Sequence, residues 1–158
     1  MLRLEGQKTE GKDGHTVAYA LLEKLWTEET GRPVPPIART DRGKPYFPGE
    51  ALHFSVTHTK KYVFCALSDR PVGIDAEELT RKINLSLAEK ILSPGEKAEY
   101  DRTEDKKRAL LTFWVLKEAS AKCSGEGLRG YPNKTDFSLR DPRVQEMMDC
   151  LVAVIEAK

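Results

Sequence analysis

The stretch VGIDAE, residues 72–77, decides both the fold and the chemistry expected of this chain. Its apolar residues predict a β-strand. Because side chains alternate between the two faces of a strand, Asp75 and Glu77 point to the same side. Two carboxylates on one face repel each other unless a cation lies between them, and Mg²⁺ takes oxygen ligands of this kind. Such pairs are also common on solvent-facing strands, so the stretch alone does not establish a metal site.

A second stretch, WVLKEASAK at residues 114–122, has helical spacing. Trp114, Glu118 and Lys122 follow one another at intervals of four residues, so a helix places them on nearly the same face. One interpretation is a core tryptophan beside an exposed Glu–Lys pair. The other is a third metal-binding carboxylate one turn from a phosphate-binding lysine, with Lys117 adding positive charge at the rim of the site.

The residues upstream of this strand predict one helix, a loop and two strands. Apolar residues at helical spacing predict a helix at 16–30, which Gly31 ends. The Pro- and Gly-rich segment that follows predicts a loop. Residues 51–57 alternate between apolar and polar side chains, which predicts a half-buried strand. Residues 62–68 are apolar on both faces, which predicts a central strand.

The second half of the chain is predicted to be more helical. A short helix should precede Ser93, where another begins, because Ser93, Pro94 and Glu96 match the capping pattern of a helix N-terminus. A longer helix is predicted at 105–123 and should end before Gly125.

Two segments near the C-terminus, residues 136–141 and 150–156, are predicted to be closing strands. The chain is therefore expected to have an α+β fold. Its first half, residues 1–70, would contain the helix, the loop and two strands. Its second half, residues 71–158, would contain the metal strand, the helices and the closing strands, and the two halves would form one compact unit.

Length and composition restrict the functions that the chain can have. It has 158 residues and a formal net charge of +1, which argues against a nucleic-acid-binding or a basic membrane protein. No apolar run is long enough to span a bilayer, and the N-terminus lacks the apolar core of a signal peptide, so we expect a cytoplasmic protein. Its three cysteines are far apart, which argues against a disulfide framework or a zinc site.

Two further motifs contain candidate ligand-binding residues. The run FSVTH at residues 54–58 places Thr57 and His58 at a strand end, where a histidine can donate to a phosphate or act as a base. A lone histidine is nevertheless more often structural. Residues 43–45, Gly-Lys-Pro, place Lys44 in a tight loop, and by itself this lysine is typical of a solvated turn.

Taken together, these four motifs resemble the 4'-phosphopantetheinyl transferase superfamily, over roughly residues 43–128. The motifs follow in the order GKP, FSVTH, GIDAE and WVLKEASAK, and Gly125, Gly127 and Leu128 match the turn after the last of them. That last motif is the most specific, because five of its positions match in register. The resemblance is greatest to the larger class, which activates peptide and polyketide synthases. It implies two pseudo-related α/β halves, each with a small antiparallel sheet and packed helices.

The resemblance also implies a reaction. A member of this family transfers the 4'-phosphopantetheine group from coenzyme A to a serine of an acyl or peptidyl carrier protein and releases 3',5'-ADP. Mg²⁺, or Mn²⁺, would be held by Asp75, Glu77 and Glu118. Glu118 would also be the base for the serine hydroxyl, directly or through water, and Lys122 would contact the pyrophosphate. The implied contacts to coenzyme A are Lys44, Thr57, His58, Lys117 and Lys122.

The sequence departs from the family pattern in two mild substitutions and in its N-terminal region. Ser55 stands where the family usually has asparagine, and Ala76 where it has an aliphatic residue. Family members usually begin with tens more residues, including strands and basic residues that contact the 3'-phosphate, whereas here the first predicted element is the helix. Candidate replacements for those basic residues are Arg3, Lys8, Lys12, Arg39 and Arg42.

The partner and the oligomeric state are less constrained. Residues 79–108 mix basic and apolar side chains that could dock the acidic, apolar recognition helix of a carrier protein. An amphipathic helix packed on the core explains the same pattern. We expect a monomer, because two unlike halves suggest an internal site, and no nucleic-acid or membrane partner. Two other functions stay open: a non-catalytic module that binds coenzyme A, and a metal-dependent phosphohydrolase.

Overall fold

The structure, a computed structural model, describes residues 1–127 and 134–158, which form an α+β fold. The strands are β1 (Leu2–Lys8), β2 (Ala38–Arg39), β3 (Pro45–Tyr46), β4 (His53–His58), β5 (Tyr62–Ser68), β6 (Val72–Glu78), β7 (Val144–Met147) and β8 (Cys150–Glu156). The helices are α1 (Gly14–Thr30), α2 (Ala88–Ile91), α3 (Pro94–Arg102) and α4 (Lys106–Ser124), and a short 3-10 helix (Leu85–Leu87) precedes α2. The predicted match at Leu128 lies outside the described residues.

Two three-stranded antiparallel sheets contain most of these strands. The first has the order β1-β5-β4, so β5 is central, and all its residues are buried, as its apolar sequence predicted. The second has the order β6-β8-β7, with β8 in the centre. The short strands β2 and β3 form a hairpin within the segment predicted to be loop.

The two sheets pack against each other, and one long helix covers the outer face of each. Between the sheets, Phe64 of β5 packs in a cluster with Ile74 of β6. On the outer side of the first sheet, Trp26 of α1 lies in a second cluster. On the outer side of the second sheet, Leu116 of α4 packs with Ala153 of β8. Each half therefore contains one three-stranded antiparallel sheet covered by a long helix, in agreement with the small sheets and packed helices that the family resemblance implied.

Local sequence signals determine the helix ends. The Asp13 carboxylate accepts a hydrogen bond from the Thr16 backbone N–H and caps α1, so this helix begins two residues earlier than predicted. Gly31 ends it with a φ of 68°, a left-handed conformation that glycine adopts without steric penalty. Ser93 and Glu96 form the predicted capping box of α3. α4 closely matches the predicted range 105–123.

Two predictions about strands are wrong. Residues 136–141 do not form a strand, because their backbone bonds to α3 instead: Phe137 N–H donates to Glu96 and Leu139 N–H to Glu99. The strand that pairs with β8 on the side opposite β6 is instead β7, which has only four residues, two of them polar. The helix α1 is also not the first element, because β1 precedes it and pairs with β5 along seven residues. Leu2 and Leu4 alternate with Arg3 and Glu5, but this pattern ends at Gly6 and is too short to predict a strand by itself.

The strand β4 is buried on both faces rather than half-buried. Its apolar residue Phe54 packs under α1, as predicted. On the opposite face Ser55 and Thr57 are also buried, at 6% and 7% exposure, because they face β6 of the other sheet. The polar side chains of this strand were expected to face solvent. Ser55 and Thr57 instead form hydrogen bonds with β6 in the second half of the molecule.

The backbone of α4 lies directly on β6 at Gly73. A Cβ atom at this position would lie 2.0 Å from the Ala119 carbonyl oxygen and 2.4 Å from the Cys123 amide nitrogen. Backbone atoms cannot rotate away as a flexible side chain can, so glycine is required for this approach. The contact brings the face of β6 that carries Asp75 and Glu77 next to α4.

The described residues also bear on the cysteines and on membrane insertion. Cys65, Cys123 and Cys150 are free thiols and are buried. Within ranges 1–127 and 134–158, no helix has both the length and the apolar character that crossing a bilayer requires.

Replacing Gly73 by alanine should destabilise the fold. The added methyl group would overlap two backbone atoms of α4, and overpacking of this kind costs about 1–3 kcal/mol. Urea denaturation would show the change as a lower midpoint. Gly14→Ala is the matched control, because the three nearest atoms that its methyl group would meet all belong to the exposed His58 side chain rather than to backbone. Equal stability of Gly73→Ala and the wild type would contradict the proposed packing.

Candidate active site

β6 is an edge strand, and side chains from three other elements bond to its open edge. Ser55 of β4 accepts a hydrogen bond from the Ile74 N–H at 3.1 Å. Lys122 of α4 donates to the Ile74 carbonyl at 3.0 Å, and Lys44 of the GKP motif donates to the Val72 carbonyl at 3.4 Å. Unpaired backbone groups of a strand edge are therefore satisfied by residues from the sequence motifs. These bonds hold the strand that carries the candidate metal ligands.

Asp75 is the most deeply buried acid of the site, with 7% exposure. Its Oδ1 accepts hydrogen bonds from Lys122 Nζ at 3.3 Å and from Thr57 Oγ1 at 3.4 Å. Its Oδ2 is buried and has no hydrogen-bond partner among the residues that the structure describes. An unpaired buried carboxylate oxygen is energetically unfavourable, so this atom marks a position where a ligand would supply positive charge.

Glu77 lies on the same side of β6 and interacts with two residues. Arg81 forms an ion pair with its carboxylate, and the Trp114 side chain partly opposes the rise in its pKa that burial causes. Trp114 was predicted either as a core residue or as a residue on the same helix face as Glu118 and Lys122. It is only partly buried and interacts with Glu77. Arg81 lies in the segment 79–108, for which docking and core packing were both considered, and no sequence pattern indicated its ion pair with Glu77.

Glu118 and Lys122 of α4 both face this part of β6, as their helical spacing predicted. The Lys122 ammonium lies against Asp75, whereas Glu118 makes no hydrogen bond or ion pair within the described ranges. Glu118 is partly exposed and lines a cleft. It is therefore the acid that a substrate in the cleft would meet.

The electrostatics of the three acids are unfavourable without a cation. Burial raises the pKa of Asp75, and Lys122 only partly opposes this effect. Burial raises the pKa of Glu77, and the negative charge of Asp75 raises it further. Burial likewise raises the pKa of Glu118, with added contributions from the charges of Asp75 and Glu77. Burial therefore opposes the ionisation of all three acids, and for Glu77 and Glu118 the neighbouring negative charges oppose it further.

These observations fit a divalent cation, although the acids are not arranged as a finished metal site. No group of three acidic, histidine or cysteine side chains within the described ranges is spaced to hold a metal ion as it stands. The unpaired Asp75 Oδ2 and the raised pKa values of the three acids show which atoms would gain from a cation. Oxygen ligands of this type suit Mg²⁺ or Mn²⁺.

A cleft of about 270 Å³ lies between the β2–β3 hairpin, β4 and the end of α4. Its lining includes the cations Arg42, Lys44 and Lys122, together with Ser55 and Glu118. Three cations around one small cleft favour an anionic ligand. The cleft lies between the two halves, because residues of both halves line it.

Lys44 connects the two halves across this cleft. Its ammonium donates to the Cys123 carbonyl at the end of α4 at 2.8 Å, besides its bond to β6. Burial lowers the pKa of Lys44. Arg42 makes a similar connection, since its guanidinium donates to the Glu126 carbonyl at 3.3 Å. The GKP motif is therefore bound to the second half of the chain rather than being a solvated turn.

A second, wider pocket lies at the end of the first sheet. Four lysines line it, and we call it the lysine pocket: Lys8, Lys12, Lys60 and Lys61. The Lys61 backbone N–H donates to the Glu78 carboxylate at 3.3 Å, so this pocket adjoins the end of β6. His58 is exposed nearby, at the end of β4 and beside the first turn of α1. Arg3, another candidate phosphate contact, is instead paired with Glu5, Glu28 and Glu29.

The predicted position of Lys117 is wrong. Its side chain is 1% exposed and does not reach the rim of the site. The ammonium forms an ion pair with the equally buried Glu96 at 2.7 Å and donates to Thr135 Oγ1, also at 2.7 Å. Successive residues on a helix point about 100° apart, so Lys117 and Glu118 face different surroundings. Lys117 connects α4 to α3.

The segment 79–108 offers less apolar surface than its sequence suggested. Ile91 and Leu92 are buried in a cluster with residues of α4, and Ile83 and Leu87 are packed against it. Of the two interpretations of this segment, an amphipathic unit packed on the core accounts for these apolar residues.

Comparisons with known proteins agree with this geometry. The family model described as the 4'-phosphopantetheinyl transferase superfamily matches residues 71–148. This range contains the whole of β6 and α4, and therefore all three acids and Lys122.

Three curated relatives are each named as transferases of this type. The 4'-phosphopantetheinyl transferase Sfp of Bacillus subtilis is 36% identical over 92 residues, covering 54% of this chain and 39% of that protein. HetI of Nostoc is 34% identical over 96 residues, covering 55% and 40%. A putative transferase of Haemophilus influenzae is 31% identical over 106 residues, covering 64% and 45%. The matched region is less than half the length of each relative.

Glu118→Gln should be more stable than the wild type in EDTA at neutral pH. Because the pKa of Glu118 is raised in the folded state, wild-type stability falls as pH rises through the interval between the unfolded and folded pKa values. Because glutamine does not ionise, the stability of the variant does not fall in this interval. Its advantage should vanish below about pH 4, where glutamate is protonated in both states. Urea denaturation across this pH range measures the difference, with Glu23→Gln on α1 as the control. An advantage independent of pH would contradict the prediction.

Lys117→Met should destabilise the protein strongly. Removing one partner of a buried ion pair leaves an uncompensated charge, here on Glu96, and costs about 3–5 kcal/mol. The double variant Lys117→Met/Glu96→Gln should recover part of this loss, because no unpaired charge is left. A double-mutant cycle by urea denaturation measures the coupling, and strictly additive losses would count against it.

Proposed function

Because residues 71–148 belong to the 4'-phosphopantetheinyl transferase superfamily, we propose that this protein transfers the 4'-phosphopantetheine group of coenzyme A to a serine of a carrier protein. The second product is 3',5'-ADP. The observation that carries the proposal is the convergence of Asp75, Glu77, Glu118 and Lys122 at one position between β6 and α4. Two separate sequence motifs supply these residues, and the fold brings them together.

Coenzyme A would bind between the two halves as an anion. The cations of the cleft would surround its phosphates, with Lys122 nearest the pyrophosphate because its ammonium already lies beside Asp75. The lysine pocket, with His58 beside it, offers positive charge for a further phosphate group. Thr57 would act through its hydrogen bond to Asp75. This distribution of charge supports a substrate with several phosphates.

Glu118 is the residue that we assign as the base. Its carboxylate lines the cleft and is free of hydrogen bonds within the described part of the chain. Burial and the neighbouring acids raise its pKa, which brings its proton affinity closer to that needed at neutral pH. It would accept the proton of the attacking serine hydroxyl, directly or through water. The serine oxygen then bonds to the β-phosphorus as the bond to the leaving 3',5'-ADP oxygen breaks.

Asp75, Glu77 and Glu118 would hold a magnesium ion, or manganese, at the same position. When bound, the ion supplies positive charge that stabilises the phosphoryl and leaving oxygens. The residues of the chain orient the substrate around it. Lys122 neutralises charge on the pyrophosphate, and Arg81 and Trp114 interact with the Glu77 carboxylate.

The remaining parts of the proposal concern the setting of the reaction. The carrier protein presents its serine at the open side of the cleft beside Glu118. We propose a cytoplasmic monomer that has neither nucleic acid nor membrane as a partner. The net charge of +1 supports the absence of these two partners.

The test is the intact mass of carrier proteins after incubation with this protein, coenzyme A and Mg²⁺. Apo carriers of the fatty-acid, polyketide and peptide types are each included. One carrier class should gain the mass of one phosphopantetheine arm. Glu118→Gln should lower the rate by two or more orders of magnitude, roughly the contribution of a general base, while the fold is retained.

Two controls separate the possible failures. Omitting Mg²⁺ and adding EDTA should abolish the mass gain, and Glu23→Gln, a surface change on α1, should leave it unaltered. A fully active Glu118→Gln variant would exclude this residue as the base. Binding of coenzyme A without transfer to any carrier would favour a non-catalytic module. Release of phosphate without a carrier would favour a phosphohydrolase.

A further inference from the structure

We infer that Arg81 competes with the divalent cation for the Glu77 carboxylate and thereby sets the affinity of the metal site. The inference rests on the metal site of the proposed function. Arg81 lies three residues after the end of β6, and its backbone N–H donates to the Glu78 carbonyl at 2.9 Å. Its guanidinium forms an ion pair with Glu77. A carboxylate that already pairs with one cation attracts a second cation less strongly.

The three acids of the site differ in the groups that they contact. Asp75 accepts hydrogen bonds through Oδ1, whereas its Oδ2 has no partner among the described residues and stays open to a ligand. Glu118 lines the cleft and is open to a ligand there. Glu77 is the acid that pairs with an arginine. Its attraction for a metal ion therefore depends on whether that arginine stays in contact.

The Arg81 side chain can leave Glu77 at little energetic cost. It is 42% exposed, whereas the Glu77 side chain is 17% exposed, so the guanidinium lies on the solvent side of the pair. Within the described residues it makes no other ion pair or hydrogen bond. Solvent would hydrate a displaced guanidinium, and the separation of so exposed a pair costs little. Lys122 differs from it, because its ammonium also bonds to the Ile74 carbonyl at 3.0 Å.

The charge balance of the site favours an exchange of cations. Lys122 and one divalent ion together neutralise three ionised carboxylates, so Arg81 in contact as well would leave one positive charge in excess. No three acids within the described ranges are spaced to hold a metal ion as they stand. Release from Arg81 would free the Glu77 carboxylate to turn towards the ion. Replacement of the guanidinium by the ion therefore brings the site closest to neutrality.

Binding of Mn²⁺ to the protein without coenzyme A tests this inference. Arg81→Met should lower the Kd for Mn²⁺ about three- to tenfold, because the ion no longer competes with a guanidinium for Glu77. A titration followed by electron paramagnetic resonance, which detects free Mn²⁺, measures the Kd. Lys82→Met is the matched control, since it removes the same charge from the next residue, which is exposed and forms no ion pair within the described ranges. Its Kd should differ from that of the wild type by less than about twofold, because solvent and salt screen an exposed charge.

A double-mutant cycle with Glu77→Gln assigns the gain to this carboxylate. In the Glu77→Gln background, Arg81→Met should change the Kd for Mn²⁺ by less than about twofold, because the group for which both cations compete is absent. An unchanged or higher Kd in Arg81→Met, with Mn²⁺ still bound by the wild type, would overturn the inference and leave the proposed metal site intact. No Mn²⁺ binding by either protein would overturn the metal site and the inference together.

A second measurement follows the Arg81 side chain itself. In protein with isotope-labelled arginine, saturating Mg²⁺ should shift the nuclear magnetic resonance signal of Arg81 Nε, which is assigned by its loss in Arg81→Met. Arg32 is the internal control, because it pairs with Glu50 in the first half at 2.9 Å and its signal should not move. An unmoved Arg81 signal in protein that has bound Mg²⁺ would show that the guanidinium stays on Glu77, and would overturn the inference.

Discussion

The contact between the backbones of β6 and α4 at Gly73 is the constraint on which the other features of the site depend. Without a side chain at this position, the helix approaches until Ala119 and Cys123 would clash with any Cβ atom. This approach places Glu118 and Lys122 beside Asp75. It also lets the Lys122 ammonium reach both the Ile74 carbonyl and the Asp75 carboxylate. A helix held further away, as over a larger residue, would separate Asp75 and Glu77 from Glu118 and Lys122.

The same closeness creates the electrostatic character of the site. Three acids gather in a partly dry region, where burial raises their pKa values and the neighbouring negative charges raise those of Glu77 and Glu118 further. Lys122 supplies one internal cation, and Asp75 Oδ2 is unpaired within the described residues. The folded chain therefore contains unfavourable electrostatic interactions among buried acids, and a bound cation would relieve them. Such preorganisation is typical of sites that stabilise charge in phosphoryl transfer.

Local sequence patterns predicted much of the fold, and most of the incorrect predictions share one cause. Predicting α1, the capped α3, α4 and the central strand β5 needed only helical spacing, capping residues and apolar runs. By contrast, β1 and the partners of residues 136–141 depend on contacts with distant elements. Lys117 shows the same limit within a motif. Its neighbour Glu118 faces the site, yet Lys117 meets Glu96, a residue of another helix whose position no local pattern reveals.

By itself, the sequence determined which residues share a face: Asp75 with Glu77 on a strand, and Glu118 with Lys122 on a helix. These relations follow from the periods of the two structures and need no tertiary information. Only the tertiary structure decided which faces meet, because this depends on packing between elements far apart in the chain. It placed Lys44 on the backbone of the second half, turned Ser55 and Thr57 towards β6, and buried Lys117 away from the cleft. In each case a polar side chain found its partner in a distant segment, since a buried polar group must be bonded wherever the fold brings a donor or acceptor within reach.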